Sequence, residues 1–204
     1  MRSSGIFLLI LFIAGCRSAS HIPSVREGDI VFQVLRSGQG PAIQLATKSH
    51  YTHMGIVLFK NDQPYVFEAV EPVRFTALDK WIARGEKGHC VIKRLNNAEQ
   101  ILDAQALNRM RRIVPGFEGK HYDLTFGWDD STIYCSELVW KVYDRALGIQ
   151  VGNLHTLKDF DLSSTIVQEK IRERYGSRVP LDETVISPKD IFDSELLTTV
   201  EIIN

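Results

Sequence analysis

Between His53 and Val70 the chain carries two β-rich runs, His53 to Phe59 and Tyr65 to Val70, separated by the polar stretch Lys60-Asn61-Asp62-Gln63-Pro64. Val, Ile, Phe and Tyr crowd both runs while Asn, Asp and Pro fill the gap, which is the pattern of a β-hairpin. A hairpin commits the fold to antiparallel pairing. Other strand-like runs are available to extend it: Ile30 to Leu35 behind Gly28-Asp29, His89 to Leu95, and Thr198 to Ile203. Two segments have helical spacing instead. Ala98 to Val114 repeats apolar residues at Ile101, Ala104, Leu107 and Met110 and is stopped by Pro115-Gly116. Tyr134 to Leu147 sets Leu138, Val139, Val142 and Ala146 on one face and ends at Gly148. Shorter helices are expected over Ala42 to Lys48, Leu78 to Arg84, Leu162 to Tyr175, and from the Ser187-Pro188 cap through Phe192. Strands first and helices later point to an α+β domain on a mostly antiparallel sheet.

The N-terminus has a different character. Met1-Arg2-Ser3-Ser4-Gly5 precedes the apolar run Ile6 to Ile13, and small residues follow. This is the layout of an export signal, and at roughly 15 Å as a helix the run is too short to span a bilayer. Ile13-Ala14-Gly15-Cys16 resembles the bacterial lipobox, with Ile13 where Leu is usual. That resemblance implies residues 1–15 as a lipoprotein-type signal peptide and Cys16 as the lipidated first residue of the mature chain. Residues 16–27 would be a polar tether and 28–204 the domain. Arg17 stands where an Asp would retain a lipoprotein at an inner membrane, so the implied location is the cell envelope, lipid-anchored, at the outer membrane if the host has one.

Composition excludes several function classes. The 204 residues suit one domain with a real core. Lys plus Arg number 24 against 25 Asp plus Glu, a formal charge of −1, which argues against a nucleic-acid partner. Three cysteines make no disulfide framework, no spacing suits zinc, and nothing indicates a cofactor or an oligomer.

Cys135 is the residue on which chemistry could turn. It lies in the first turn of a predicted helix, just after Asp129-Asp130-Ser131-Thr132, any of which could cap it. Free amides and the helix dipole favour a thiolate there, although Asp129 and Asp130 oppose it. Leu138, Val139 and Val142 share its face, so its sulfur points toward the protein body. His53 begins an apolar strand, on the same side as Gly55 and Val57, as a core-facing imidazole at a sheet rim would. Glu68 interrupts an apolar strand and is costly to bury without a partner. With a turn near Asn61-Asp62 it falls opposite or diagonal to His53, where it could hold the imidazole tautomer. Cys90 reads as structural; a Cys90–Cys135 disulfide in an oxidising envelope would remove the nucleophile.

Tyr51-Thr52-His53-Met54-Gly55-Ile56-Val57, Phe67-Glu68-Ala69, Gly119-Lys120-His121-Tyr122-Asp123 and Tyr134-Cys135-Ser136-Glu137-Leu138-Val139 together resemble the NlpC-type papain-like cysteine hydrolases. Their order, with the histidine strand upstream of the cysteine helix, is that of the circularly permuted YiiX/YebB-like branch. Gly28-Asp29-Ile30-Val31 and Ser187-Pro188-Lys189-Asp190-Ile191 fit it too, so the likeness covers roughly residues 26–200. It implies a permuted papain-like fold, a half-barrel sheet packed against helices, with Cys135 as nucleophile, His53 as base and Glu68 as its orienting residue. Tyr122 would be an oxyanion donor beside the Cys135 amide. The family's Trp-Gly-Gly stretch is replaced by Phe126-Gly127-Trp128. The implied reaction is cleavage of an amide, ester or thioester through a thioester on Cys135. The substrate is left open between a peptidoglycan peptide and an acyl lipid; Phe117, Leu124, Phe126 and Trp128 would suit the lipid and would suit packing equally well. The alternative is a non-catalytic papain-fold lipoprotein that binds such a peptide or lipid.

Overall fold

The expected hairpin forms with a tighter turn than the polar stretch suggested. In this computed structural model, which describes residues 23–204, only Asn61 and Asp62 make the connection, both with left-handed backbone (φ 51° and 59°). Asn and Asp tolerate that conformation best after Gly, and the resulting primed turn matches the twist of the flanking strands. The expected signal peptide and the expected lipidation site Cys16 lie outside the described residues.

The chain runs β1 (Ile30–Gln33), α1 (Gly40–Thr47), the hairpin β2 (His53–Lys60) and β3 (Gln63–Glu68), β4 (Arg74–Ala77), α2 (Leu78–Arg84), β5 (Cys90–Leu95), α3 (Ala98–Ile101) and α4 (Ala104–Ile113). It continues through the two-residue strands β6 (His121–Tyr122) and β7 (Thr132–Ile133), then α5 (Cys135–Leu147), β8 (His155–Thr156), α6 (Thr165–Tyr175), β9 (Thr184–Val185), α7 (Pro188–Phe192) and β10 (Leu197–Ile203). Six strands form one sheet in the order β10-β5-β1-β2-β3-β4, and every pairing in it is antiparallel. β6 pairs β7 in parallel, and β8 pairs β9 antiparallel. This is the α+β class read from the sequence.

Strand alternation gives the sheet two apolar faces. On one, Ile30, Phe32, Met54, Ile56 and Phe67 pack against Leu138, Val139 and Val142 of α5 and Met110 of α4. On the other, Val31, Val57, Val66 and Ile92 pack around Trp81 and Leu78 of α2. Helix α5 is buried on nearly all sides, Glu137 and Lys141 included. Among the described residues no helix is long and apolar enough to cross a membrane.

Two expectations change. Ala98 to Val114 is not one helix. It breaks at Leu102-Asp103, where the Asp103 carboxylate accepts the Ala106 amide at 2.7 Å and starts α4 afresh; a side chain that caps a new turn competes with continuing the old one. Residues 24–27, read as tether, contact the folded body. Ser24 N–H donates to Glu201, Val25 packs on the second core, and the Glu27 carboxylate accepts the Phe59 amide and pairs with Arg111.

Candidate active site

The hairpin register brings His53 and Glu68 together. Ile56 faces Phe67, so one step further Gly55 faces Glu68 and His53 lies diagonal to it, within side-chain reach. Gly55 permits this closeness. A Cβ there would lie 2.4 Å from Val66 Cγ1, 2.7 Å from the Phe67 carbonyl oxygen and 3.3 Å from Glu68 Cβ. His53 Nε2 bonds Glu68 Oε2 at 2.5 Å with both side chains buried. The same oxygen accepts Trp81 Nε1 at 2.9 Å and the Arg84 guanidinium, while Oε1 accepts the Thr76 hydroxyl at 2.6 Å. Trp81 also stacks on the imidazole, with ring centroids 6.1 Å apart.

This surround supports a charged pair in a dry place. Burial works against a protonated His53, but hydrogen bonds to Cys135 and Glu68, with their charges, outweigh it and raise its pKa to about 9. Burial likewise opposes the Glu68 carboxylate. Hydrogen bonds from His53 and Thr76, with the charges of His53 and Arg84, overcome this and lower it to about 2. With Nε2 engaged by Glu68, Nδ1 is the nitrogen left for Cys135.

Cys135 sits where the sequence placed it, at the first position of α5, but its helix is not capped by residues 129–132. Tyr134 is the N-cap residue, and its amide is taken by Glu137 Oε2 at 3.3 Å. Asp129 and Asp130 are occupied otherwise. Asp129 accepts the Ser131 amide and hydroxyl, and Asp130 is claimed by Arg145 and Lys141, whose hydrogen bonds hold its carboxyl well below the usual range. Their charge is therefore not directed at the sulfur. Burial pushes the Glu137 carboxyl up to about 7 despite Lys141 at 2.6 Å. The Cys90–Cys135 disulfide is not formed. Both cysteines are free and buried, Cys90 in the core under α2 and Cys135 in the core under α5. Burial pushes the Cys90 thiol up to about 12.

Tyr122 arrives through the β6–β7 pairing, which sets it beside Ile133. It lines the same cleft as Cys135, and burial together with the Cys135 charge raises its pKa far above the ordinary range. Asp123 shapes the following loop, accepting the Thr125 amide and hydroxyl at 2.6 and 2.7 Å and the Gly127 amide at 2.7 Å. All four residues expected in the site thus meet, two from the hairpin and two from the helix half of the chain. The donors that hold Glu68 (Thr76, Trp81, Arg84) were not anticipated, because they belong to β4 and α2 and no local spacing marks them. Gly55 was the available signal: a glycine inside an apolar strand marks a close approach.

Cys135 opens onto a cleft of about 790 Å³, the open solvent at its mouth included. Ala42, Ile43 and Ala46 of α1, Val167 and Ile171 of α6, and Phe160 make its walls apolar. Lys170 and Arg174 are its charged residues, and among the described residues no carboxylate lines it. Of the four apolar residues expected near the cysteine, Phe126 lines this cleft, whereas Phe117 is buried in the main core and Leu124 is exposed. Trp128 packs on Trp140.

Comparison with known proteins agrees with this geometry. A family model described as "Permuted papain-like amidase enzyme, YaeF/YiiX, C92 family" matches residues 24–201. The uncharacterized protein YiiX of Escherichia coli (strain K12) is 50% identical over 175 residues, 86% of this chain and 85% of that one. A crystal structure of YiiX from Escherichia coli O157:H7, described as a metalloprotein, matches with a TM-score of 0.82 at 50% identity, covering 86% of this chain and 96% of that one. Among the described residues of this chain no group of three or more His, Cys, Asp or Glu converges to hold a metal ion. The order of the site residues, the antiparallel sheet and a family match over nearly the whole described chain have one reading: the chain belongs to the permuted papain-like amidase family.

Proposed function

We propose that the chain is a cysteine hydrolase that removes an acyl chain from an amide or ester, with Cys135 as nucleophile, His53 as acid and base, Glu68 as the group orienting His53, and Tyr122 and the Cys135 amide as oxyanion donors. The observation that carries this reading is the apolar cleft that Cys135 helps to line. A peptide would leave its amides unpaired against Ile43, Phe160, Val167 and Ile171, whereas each methylene of an acyl chain buried there contributes about 0.8 kcal/mol. The lipid anchor expected on Cys16 fits the same reading, since it would keep the enzyme at its substrate's surface. Palmitate labelling that is lost in Cys16→Ala tests that part.

The attacking form pairs a Cys135 thiolate with a protonated His53 imidazole. The thiolate attacks the carbonyl carbon, a C–S bond forms, and the carbonyl π pair moves to oxygen, where Tyr122 and the Cys135 N–H stabilise it. As the C=O re-forms, the amine or alkoxide leaves with its bonding pair and takes the proton from His53. Water then gives a proton to neutral His53 and attacks the thioester. The thiolate departs, the fatty acid is released and the imidazolium is restored.

The test is active-site titration with p-nitrophenyl esters of increasing chain length. A burst of nitrophenolate matched to the enzyme concentration is expected, absent in Cys135→Ala, with acylation at least 10²-fold faster for octanoate than for acetate, well inside the limit set by methylene burial. Equal rates for all chain lengths would overturn the acyl reading in favour of a peptide. No burst, together with iodoacetamide labelling at pH 6 that is slow and indifferent to His53→Ala, would leave a binding module.

A further inference from the structure

Gln39, just ahead of α1, stands between Tyr122 and α6. Its Nε2 donates to the Tyr122 hydroxyl oxygen at 3.0 Å, and its Oε1 accepts from the Arg174 guanidinium. Arg174 is itself stacked on Phe126 at 4.7 Å, and the next residue, Tyr175, donates its hydroxyl to the Thr125 carbonyl. A guanidinium has no acceptor, so the Gln39 atom facing Arg174 must be the oxygen. The orientation of the amide is therefore dictated by chemistry, and the atom facing Tyr122 must be the donor. A phenolic O–H lies close to its ring plane and has two favourable directions. Gln39 donates into one of them, which leaves the hydrogen of Tyr122 the other, toward the cleft that Tyr122 and Cys135 both line. Arg174 also polarises the Gln39 amide and strengthens this constraint.

We propose that Gln39 and Arg174 are positioning residues that fix the hydroxyl hydrogen of Tyr122 toward the carbonyl oxygen of a substrate at Cys135. The inference rests on the hydrolase reading and extends it. An undirected tyrosine must reorient its hydrogen as the oxyanion forms. One held by this relay donates without reorganisation, which is where such donors gain most. Neither residue touches the reacting atoms. Both act through Tyr122.

Two reagents separate this role from others. Acylation by p-nitrophenyl octanoate builds an oxyanion, whereas alkylation by iodoacetamide displaces iodide at a tetrahedral carbon and builds none. In the full-length protein, Gln39→Glu keeps the shape and the Arg174 contact but turns the donor into an acceptor, which draws the Tyr122 hydrogen away from Cys135. Acylation is expected to fall about 10²-fold, as in Tyr122→Phe, with alkylation at pH 6 within about threefold of the parent on the same scale of effects. Gln39→Leu, which merely releases the hydroxyl, should lose less than Gln39→Glu although it is the poorer fit. A packing role requires the opposite order. Adding Gln39→Glu to Tyr122→Phe should cost nothing further. Parental acylation in Gln39→Glu, equal losses in acylation and alkylation, or additivity with Tyr122→Phe would each overturn the inference and leave the hydrolase reading standing. A parent protein with neither burst nor fast labelling would remove the hydrolase reading, and this one with it.

Discussion

Replacing Glu68 by Gln tests the site at its most heavily bonded atom. Glu68 Oε2 accepts from His53, Trp81 and Arg84, and Oε1 from Thr76. A glutamine that turns its oxygen to the three donors keeps those bonds, and the Thr76 hydroxyl can rotate to accept from the new NH₂ group. The shape is preserved and the charge is lost. The Glu68 side chain is fully buried, and its carboxyl lies at about 2 against an ordinary 4.5, so solvent offers no compensation. At 1.36 kcal/mol per unit, that depression corresponds to about 3 kcal/mol of folding stability at neutral pH.

The sign follows from linkage. A depressed carboxyl contributes stability that is complete above the unfolded value of 4.5 and lost as pH falls through about 2. The gap in unfolding free energy between parent and Glu68→Gln should therefore be flat from pH 7 to 5.5. It should narrow to about 2 kcal/mol by pH 3.5, as the unfolded chain takes up the proton first. Urea unfolding of both proteins at pH 7, 5.5 and 3.5 measures it, and equal m-values keep the comparison two-state. A gap under about 0.5 kcal/mol at pH 7, the size of an ordinary surface change, would refute the reasoning. A gap that stays constant down to pH 3.5 would do the same, because the loss would then be one of packing.

Further outcomes follow from the same contacts. His53, raised to about 9 from 6.5, contributes stability that is complete below 6.5 and lost as pH rises through 9; the parent should lose stability between pH 7 and 10, and His53→Gln should flatten that slope in chemical unfolding. Lys141→Met leaves Glu137 buried without its cation and should cost about 3–5 kcal/mol, most of it recovered when Glu137→Gln is added, as a double-mutant cycle would read. Gly55→Ala forces a methyl to 2.7 Å from the Phe67 carbonyl oxygen; it should cost about 1–3 kcal/mol and slow iodoacetamide labelling at pH 6 by moving β3 and Glu68 away from His53.

The parts of the fold that local pattern encodes were readable in the chain. Leu78–Arg84 is the helix its spacing indicated, and the hairpin, α5 and the Ser187-Pro188 cap stand within a residue or two of their expected bounds. Each is specified by its own periodicity, turn residues or cap. β4 and the four two-residue strands were not read, because the four residues Arg-Phe-Thr-Ala are too few for their alternation to stand out and a two-residue strand has no period; partners far along the chain define them. The site divides the same way. Cys135, His53 and Glu68 stand out because a thiol at a helix start and a carboxylate in an apolar strand are locally anomalous. Gln39, Arg84 and Arg174 are ordinary polar residues until the fold gives them partners. Asp129 and Asp130 misled for the converse reason: sequence adjacency set their charge near Cys135, while Ser131, Lys141 and Arg145 engage it elsewhere.

Charge balance joins these observations. Around His53 the buried groups are the Glu68 carboxylate, the half-buried Arg84, the imidazole and the Cys135 sulfur. Arg84 and Glu68 cancel, which leaves imidazole and thiol free to be neutral together or charged together. The apolar cleft next to them raises the cost of any uncompensated charge. Glu68 therefore does more than orient a ring. With it present, a proton that moves from sulfur to nitrogen creates a balanced pair. With Gln at 68, Arg84 is already uncompensated, a second cation at His53 is disfavoured, and the proton returns to sulfur. Labelling of Glu68→Gln by iodoacetamide should then fall at pH 6 and recover as pH rises into the ordinary thiol range of about 8.5. His53→Ala should follow the same profile, since both variants remove the reason for sulfur to give up its proton. Parent-like labelling at pH 6 in Glu68→Gln would show that the helix terminus alone sustains the thiolate, and the role assigned to the buried carboxylate would fail.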